Sequence, residues 1–212
     1  LIEAAEKLGA LSAAMAAGHL KYGSSIAALP PSMGDANGRK TAALAASSVS
    51  LLWRIQRRIG EGAVPIIQFV PCDQFASAAA AAVSFARAAA ALMGRTLLID
   101  THRAMTPELV PDAYINRLYH QSIAGPALCT LLSQVAARTG PQAGSFSAIA
   151  IDQASLQAGD GACAVAPLCL ATVLVVGAGA TRLESIRAAM RRIEAVGGSV
   201  LGTVLVEPGA RR

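Results

Sequence analysis

The sequence predicts an α/β domain: a doubly wound, mainly parallel sheet with helices on both faces and a helical extension at its N-terminal end. Three observations lead there. Near-continuous apolar runs recur at 65–70, 96–99, 148–151, 172–176 and 200–206, the pattern of strands covered on both faces. Stretches of helical character fall between several of these runs, so connections should be right-handed crossovers. Finally, 212 residues that are 54% apolar suffice for one well-cored α/β domain and would be stretched by two.

Taken in order, residues 3–20 read as an amphipathic helix, rich in Ala and Leu with Glu3 and Lys7 on its other side. Residues 22–40 gather Gly, Ser, Pro-Pro, Asp and Asn, the composition of a linker. The expected organisation is therefore an N-terminal helix and flexible linker over 1–40, followed by the α/β domain over 41–212. A helix over 41–59, stopped by Gly60, carries Leu51, Leu52, Trp53 and Ile55 beside Arg54, Arg57 and Arg58. The strand at 65–70 runs through a loop into an alanine-rich helix ending near Met93, and a second strand, 96–99, ends at Asp100. Residues 101–115 read as irregular. A helix over 125–138 is broken by Thr139-Gly140-Pro141, and a helix over 182–196 stops at Gly197-Gly198. Thr181 is placed to cap that last helix, with Glu184 three residues on in the capping-box position. The preceding Gly177-Ala178-Gly179-Ala180 lacks GxGxxG spacing and reads as a tight turn rather than a dinucleotide fingerprint.

Composition limits the functional classes. The formal net charge of +5 is modest, and its arginines are scattered among acids, so solvated helix faces explain most of them. Four cysteines, Cys72, Cys129, Cys163 and Cys169, show neither CxxC spacing nor a histidine at ligand distance, and read as buried apolar residues in a reducing compartment. The longest apolar run, 76–93, is mostly alanine and interrupted by Ser77, Ser84 and Arg87. It is a buried helix rather than a bilayer span. No signal-peptide pattern opens the chain. There is no GxSxG elbow, and Ser77 and Ser155 have no histidine nearby in sequence.

The stretch from Ile66 to Asp100 carries the sharpest signal. Strand, loop, helix and strand follow one another as in a P-loop nucleotide-binding unit, where loop glycines free N–H groups for phosphate, a lysine reaches its oxygens and a hydroxyl holds Mg²⁺. Here the loop reads Val70-Pro71-Cys72-Asp73-Gln74-Phe75-Ala76-Ser77-Ala78-Ala79, with no glycine and no lysine. Asp73 would repel phosphate, and Phe75 is expected to fill the emptied pocket.

Three segments together resemble the cytoplasmic ATPase domain of bacterial tyrosine kinases, ParA/MinD-type P-loop proteins that regulate capsule and exopolysaccharide chain length. They are Phe85-Ala86-Arg87-Ala88 through Gly94-Arg95-Thr96-Leu97-Leu98-Ile99-Asp100, then Ser147-Ala148-Ile149-Ala150-Ile151-Asp152, then Ala166-Pro167-Leu168 onward to Val200-Leu201-Gly202-Thr203-Val204-Leu205. The resemblance spans about 53–206. It implies the P-loop NTPase fold and aligns Asp100 and Asp152 with the family's Walker aspartates. The departures lie at the chemistry. Ser77 is the only hydroxyl in the phosphate loop, His102 stands where a second aspartate is normal, Gln153-Ala154-Ser155 replaces Pro-Pro, and Glu207 replaces Asn. No tyrosine cluster closes the chain, which ends Pro208-Gly209-Ala210-Arg211-Arg212.

The resemblance and its departures together imply a degenerate ATPase: a scaffold or regulator in bacterial exopolysaccharide (capsule, cellulose or similar) synthesis or export. Its partner would be a membrane polysaccharide co-polymerase or synthase subunit. The chain would be cytoplasmic, brought to the inner face of the plasma membrane by that partner, and able to form homo-oligomers. No catalytic residue, metal ligand or cofactor is expected, and Ser77, Asp100 and Asp152 are vestigial nucleotide-site positions. The partner surface is placed at Trp53, Arg54, Arg57 and Arg58 and at Arg187 and Arg191. ATP and Mg²⁺ enter only under the alternative, an active ATPase or tyrosine kinase with a non-standard phosphate loop. A ParA-like nucleic-acid-binding protein is a weaker alternative, because aromatics are few and the arginines dispersed.

Overall fold

The computed structural model describes residues 46–55, 57, 64–101, 115–119, 128–130, 132–133 and 146–207. The helix expected over 3–20 and the linker over 22–40 lie outside them, as do Arg58 and His102. Among the described residues six strands form one sheet, and every pairing in it is parallel. They are β1 (Ile66–Pro71), β2 (Thr96–Asp100), β3 (Ile115–Tyr119), β4 (Ala148–Asp152), β5 (Ala171–Gly177) and β6 (Val200–Val206), in the order β3-β2-β4-β1-β5-β6. The described helices that accompany them are α1 (46–55), α2 (Ala79–Met93), α3 (Gly161–Val165) and α4 (Leu183–Ala195). The residues of 128–130 and 132–133 are also helical.

Every residue of β1, β2, β4 and β5 is buried, which explains why their sequences read as unbroken apolar runs. Ile67, Phe69, Leu98, Ala150, Val173 and Val175 face α1 and α2, where Leu52 and Ile55 join Phe85 in one core cluster. The rings of Phe69 and Phe85 meet at 5.4 Å between centroids. Alanines make this layer close-fitting: Ala81, Ala82, Ala86 and Ala89 are buried along the sheet-facing side of α2. On the opposite face, Leu97, Ile99, Ile149 and Ile151 pack with Leu128 and Leu132. Beside them Val70, Leu174 and Val176 pack against Ala189 and Ile193 of α4. One polar pair lies within the sheet, where Gln68 Nε2 donates to Thr172 Oγ1 across the β1–β5 register at 2.7 Å.

Two expectations need correction. The sequence predicts an irregular stretch over 101–115, then a helix from about 125. Instead Ile115–Tyr119 forms β3, paired in parallel with β2. An edge strand has a single neighbour and tolerates polar residues, so Asn116 and Arg117 break the apolar run that marks the inner strands. The second correction concerns Thr181. The residue preceding α4 is Arg182, and no side chain caps the helix. The Thr181 hydroxyl instead accepts the N–H of Gly177 at 2.9 Å, while the Thr181 N–H donates to the Gly177 carbonyl at 3.0 Å. Its hydroxyl closes the turn after β5 and is therefore unavailable to the helix.

Candidate functional site

The carboxyl ends of β2 and β4 bring two buried aspartates together, and a third buried aspartate follows β1. Asp100 and Asp152 are the last residues of adjacent parallel strands and are register partners, which puts their main chains side by side. They are 6% and 0% exposed. Asp73, two residues beyond β1, is 2% exposed. Open parallel sheets hold their ligands at this end, so topology alone brings the expected acidic positions together.

The loop between β1 and α2 is closed on itself. The N–H of Cys72 donates to the Val175 carbonyl at 3.0 Å, continuing the β1–β5 pairing. The Asp73 Oδ1 accepts the N–H of Phe75 at 2.9 Å, and the Ser77 Oγ accepts that of Ala79 at 3.3 Å. These are local side-chain turns, and they consume N–H groups that a phosphate cradle would have to leave open. Ser77 itself is exposed, and Ala78 before α2 offers no side-chain cap. Phe75 is half-buried, and it is its main chain that lies against Gly177: a Cβ there would sit 3.3 Å from the Phe75 carbonyl oxygen. A side chain at position 177 would thus push the loop outward.

Polar contacts tie the other two loops at this edge. The Thr101 N–H donates to the Asp152 carbonyl at 3.1 Å, and its hydroxyl lies 2.9 Å from that carbonyl and 3.1 Å from Gln153 Oε1. Gln153, 3% exposed, donates its N–H to the Phe69 carbonyl at 3.0 Å. The sequence marks Gln153 only as a departure from Pro-Pro, and it does not mark Thr101 at all. The available signal was a glutamine directly after a buried strand. On the α4 side a cavity of about 270 Å³ opens beside Cys72, lined by Leu156, Gln157, Ser185 and Arg192 among others. Its arginine is already engaged, donating to the Leu156 carbonyl at 2.7 Å and to Asp160. Among the described residues no group of three or more His, Cys, Asp or Glu is arranged to hold a metal ion.

No protein-family model and no curated protein matches the sequence. Solved structures do. The VpsO kinase domain superposes with a TM-score of 0.61 at 15% identity, over 81% of this chain and 97% of that one. The BceF tyrosine kinase domain gives 0.62 at 14% identity, over 79% and 77%. The kinase domain of the Escherichia coli tyrosine kinase ETK gives 0.60 at 14%, over 81% and 78%. The chain has the bacterial tyrosine kinase fold. In this chain β2 and β4 of that fold end in Asp100 and Asp152.

The residues expected at a partner surface fall on two layers of the kinase fold. Trp53 is half-buried on α1, while Arg54 and Arg57 are exposed beside it. Arg187 and Arg191 are exposed on α4, across the sheet. They do not form one continuous patch through the core. Among the described residues no helix is long and apolar enough to cross a membrane.

Proposed function

We propose that this chain is a catalytically degenerate tyrosine-kinase-like protein. It would serve as a scaffold or regulator in bacterial exopolysaccharide synthesis or export, in the cytoplasm, beside a membrane co-polymerase or synthase subunit. The closed loop after β1 carries the first half of this reading. It has neither glycine nor lysine, and the Asp73 carboxylate stands inside it, already holding the N–H of Phe75. A phosphate about 4 Å from that carboxylate would meet about 4 kcal/mol of repulsion per unit charge at an effective dielectric of 20, a penalty of roughly a thousandfold in affinity. A P-loop lysine would supply attraction of similar size, and there is none. The pathway half rests on the fold shared with the kinase domains and on the sequence segments that resemble them. Trp53, Arg54, Arg57, Arg58, Arg187 and Arg191 are the residues proposed for protein contacts, and no cofactor is assigned.

One observation favours the alternative of a working ATPase: Asp100 and Asp152 remain side by side where Mg²⁺ chemistry would need them. Calorimetric titration with ATP and ADP, with and without Mg²⁺, separates the two. The expected result is no heat of binding at millimolar nucleotide. Micromolar, Mg²⁺-dependent binding, lost in Asp100→Ala and Asp152→Ala, would replace the scaffold by the enzyme.

A further inference from the structure

Among the described residues β6 forms one edge of the sheet, with β5 its only neighbour. Edges of this kind are usually blunted by lysine, proline or an irregularity. The seven residues VLGTVLV contain no charge and no proline, and the one register shift lies at their start, opposite Thr172 and Val173. From Gly202 to Val206 the strand is regular. The Val206 carbonyl accepts the N–H of Ala178 at 2.8 Å, so Val206 turns inward. With the strand's period of two, Thr203 and Leu205 turn their N–H and C=O groups outward.

Side chains reinforce the picture. Thr203 and Leu205 are registered with Leu174 and Val176, which places them on the α4 face of the sheet. α4 leaves them uncovered: Leu205 is 68% exposed and Thr203 is exposed. Ser185, Ala188 and Arg192 line the cavity on one flank of α4. Helical spacing puts Leu183 and Arg187 on the other flank, and Leu183 is 54% exposed. On the opposite face, an Arg54 guanidinium nitrogen lies 3.9 Å from where a Cβ on Gly202 would stand. The open edge is therefore rimmed by an arginine on each face, and no described carboxylate forms an ion pair with either.

We infer that β6 is a docking edge for an acidic, extended segment of a partner protein, which adds to the sheet as a seventh strand. Main-chain hydrogen bonds to Thr203 and Leu205 would supply affinity, as in other strand additions. Leu183 and Leu205 would give the segment apolar contact, and Arg54 and Arg187 would take its carboxylates. A second copy of this chain fits less well, because pairing β6 with itself would bring two arginine rims together, with Glu194 and Glu207 as the only acids beside them among the described residues. This inference is independent of whether the loop after β1 binds nucleotide.

Selection of a random heptapeptide library displayed on phage against the full chain provides the probe. The expected consensus alternates β-branched or apolar residues with Asp or Glu. The labelled consensus peptide is then titrated by fluorescence anisotropy. Thr203→Pro removes only an outward N–H, a change that edge strands tolerate, and should weaken binding at least ~10-fold with the melting temperature kept. The double variant Arg54→Glu/Arg187→Glu should lose the acidic peptide and gain its lysine-substituted counterpart. If Thr203→Pro fails to fold, the charge-reversed variant decides alone. No consensus, a consensus without acids, or binding indifferent to these substitutions overturns the inference. So does a concentration-dependent dimer that either variant dissolves, since the edge would then pair with itself.

Discussion

Cys72 directly follows the central strand, and its thiol is pushed up to about 11 by burial and then by the neighbouring Asp73 carboxylate. Cys169 is pushed up to about 12 by burial and then by Cys129. The thiolate is the reactive form, so both side chains are inert at neutral pH and behave as small apolar residues, as the absence of ligand spacing suggested. Cys129 and Cys163 are half-buried rather than fully covered, which spacing could not reveal. Iodoacetamide at pH 7.5 should leave Cys72 and Cys169 unmodified in the folded protein and label them once it is unfolded, as read by peptide mass spectrometry. Labelling of native Cys72 would contradict the burial. The linkage has a definite sign. Both folded values lie above the ordinary 9.0, so the native state holds these protons more tightly than the unfolded chain. Their contribution is complete below about pH 9 and is lost as pH rises through 11 and 12, so stability should fall on that alkaline limb. Replacing both cysteines by alanine should flatten the limb in denaturation curves measured from pH 8.5 to 11.

At the scale of elements, the inner strands were legible because burial on both faces leaves no room for polar alternation. β3 was not, since Asn116 and Arg117 at an edge look like loop residues. The beginning of α4 was misjudged because Thr181 and Glu184 satisfy a capping pattern whose hydroxyl is spent on Gly177. Its end was legible, since Gly197-Gly198 stops the helix for two different reasons. Gly197 has φ +84°, a conformation other residues resist. Gly198 has an ordinary φ but no space: a Cβ there would lie 2.7 Å from Ala166 Cβ and 2.8 Å from Ile193 Cγ2. The return of the chain into β6 thus needs a bare backbone where α4 crosses the turn before β5. Gly198→Ala should cost about 1–3 kcal/mol through overpacking, measured by urea denaturation at unchanged m-value. A loss near zero would mean that Ala166 and Ile193 yield readily, and that the α4–β6 corner is loosely packed.

For the molecule as a whole, strand order could not be read from the chain, because placing β1 between β4 and β5 depends on contacts more than 80 residues apart. The convergence of Asp100 and Asp152 followed from their positions at strand ends. The inward turn of Asp73 depended on a loop conformation that no periodicity encodes. Charge distribution is likewise a property of the assembled fold. Arg54 and Arg57 belong to the α1 layer, and Arg182, Arg187 and Arg191 to the α4 layer across the sheet, while Arg192 is held by Asp160. Nucleic-acid affinity grows with the number of phosphates neutralised at once, each contributing about −0.9 to the slope of log K against log salt on duplex DNA. A duplex touching one layer would meet two or three of these arginines, with Glu184 and Glu194 interspersed on α4. Counted over these arginines alone, that gives a slope of about −3, short of the six or more contacts that sustain strong binding. A labelled duplex of roughly 25 base pairs, longer than any one face of the domain, should show no saturable binding at 150 mM salt by anisotropy. Submicromolar binding with a slope near −6 would require one continuous basic face, and would restore the nucleic-acid reading over that of a protein scaffold.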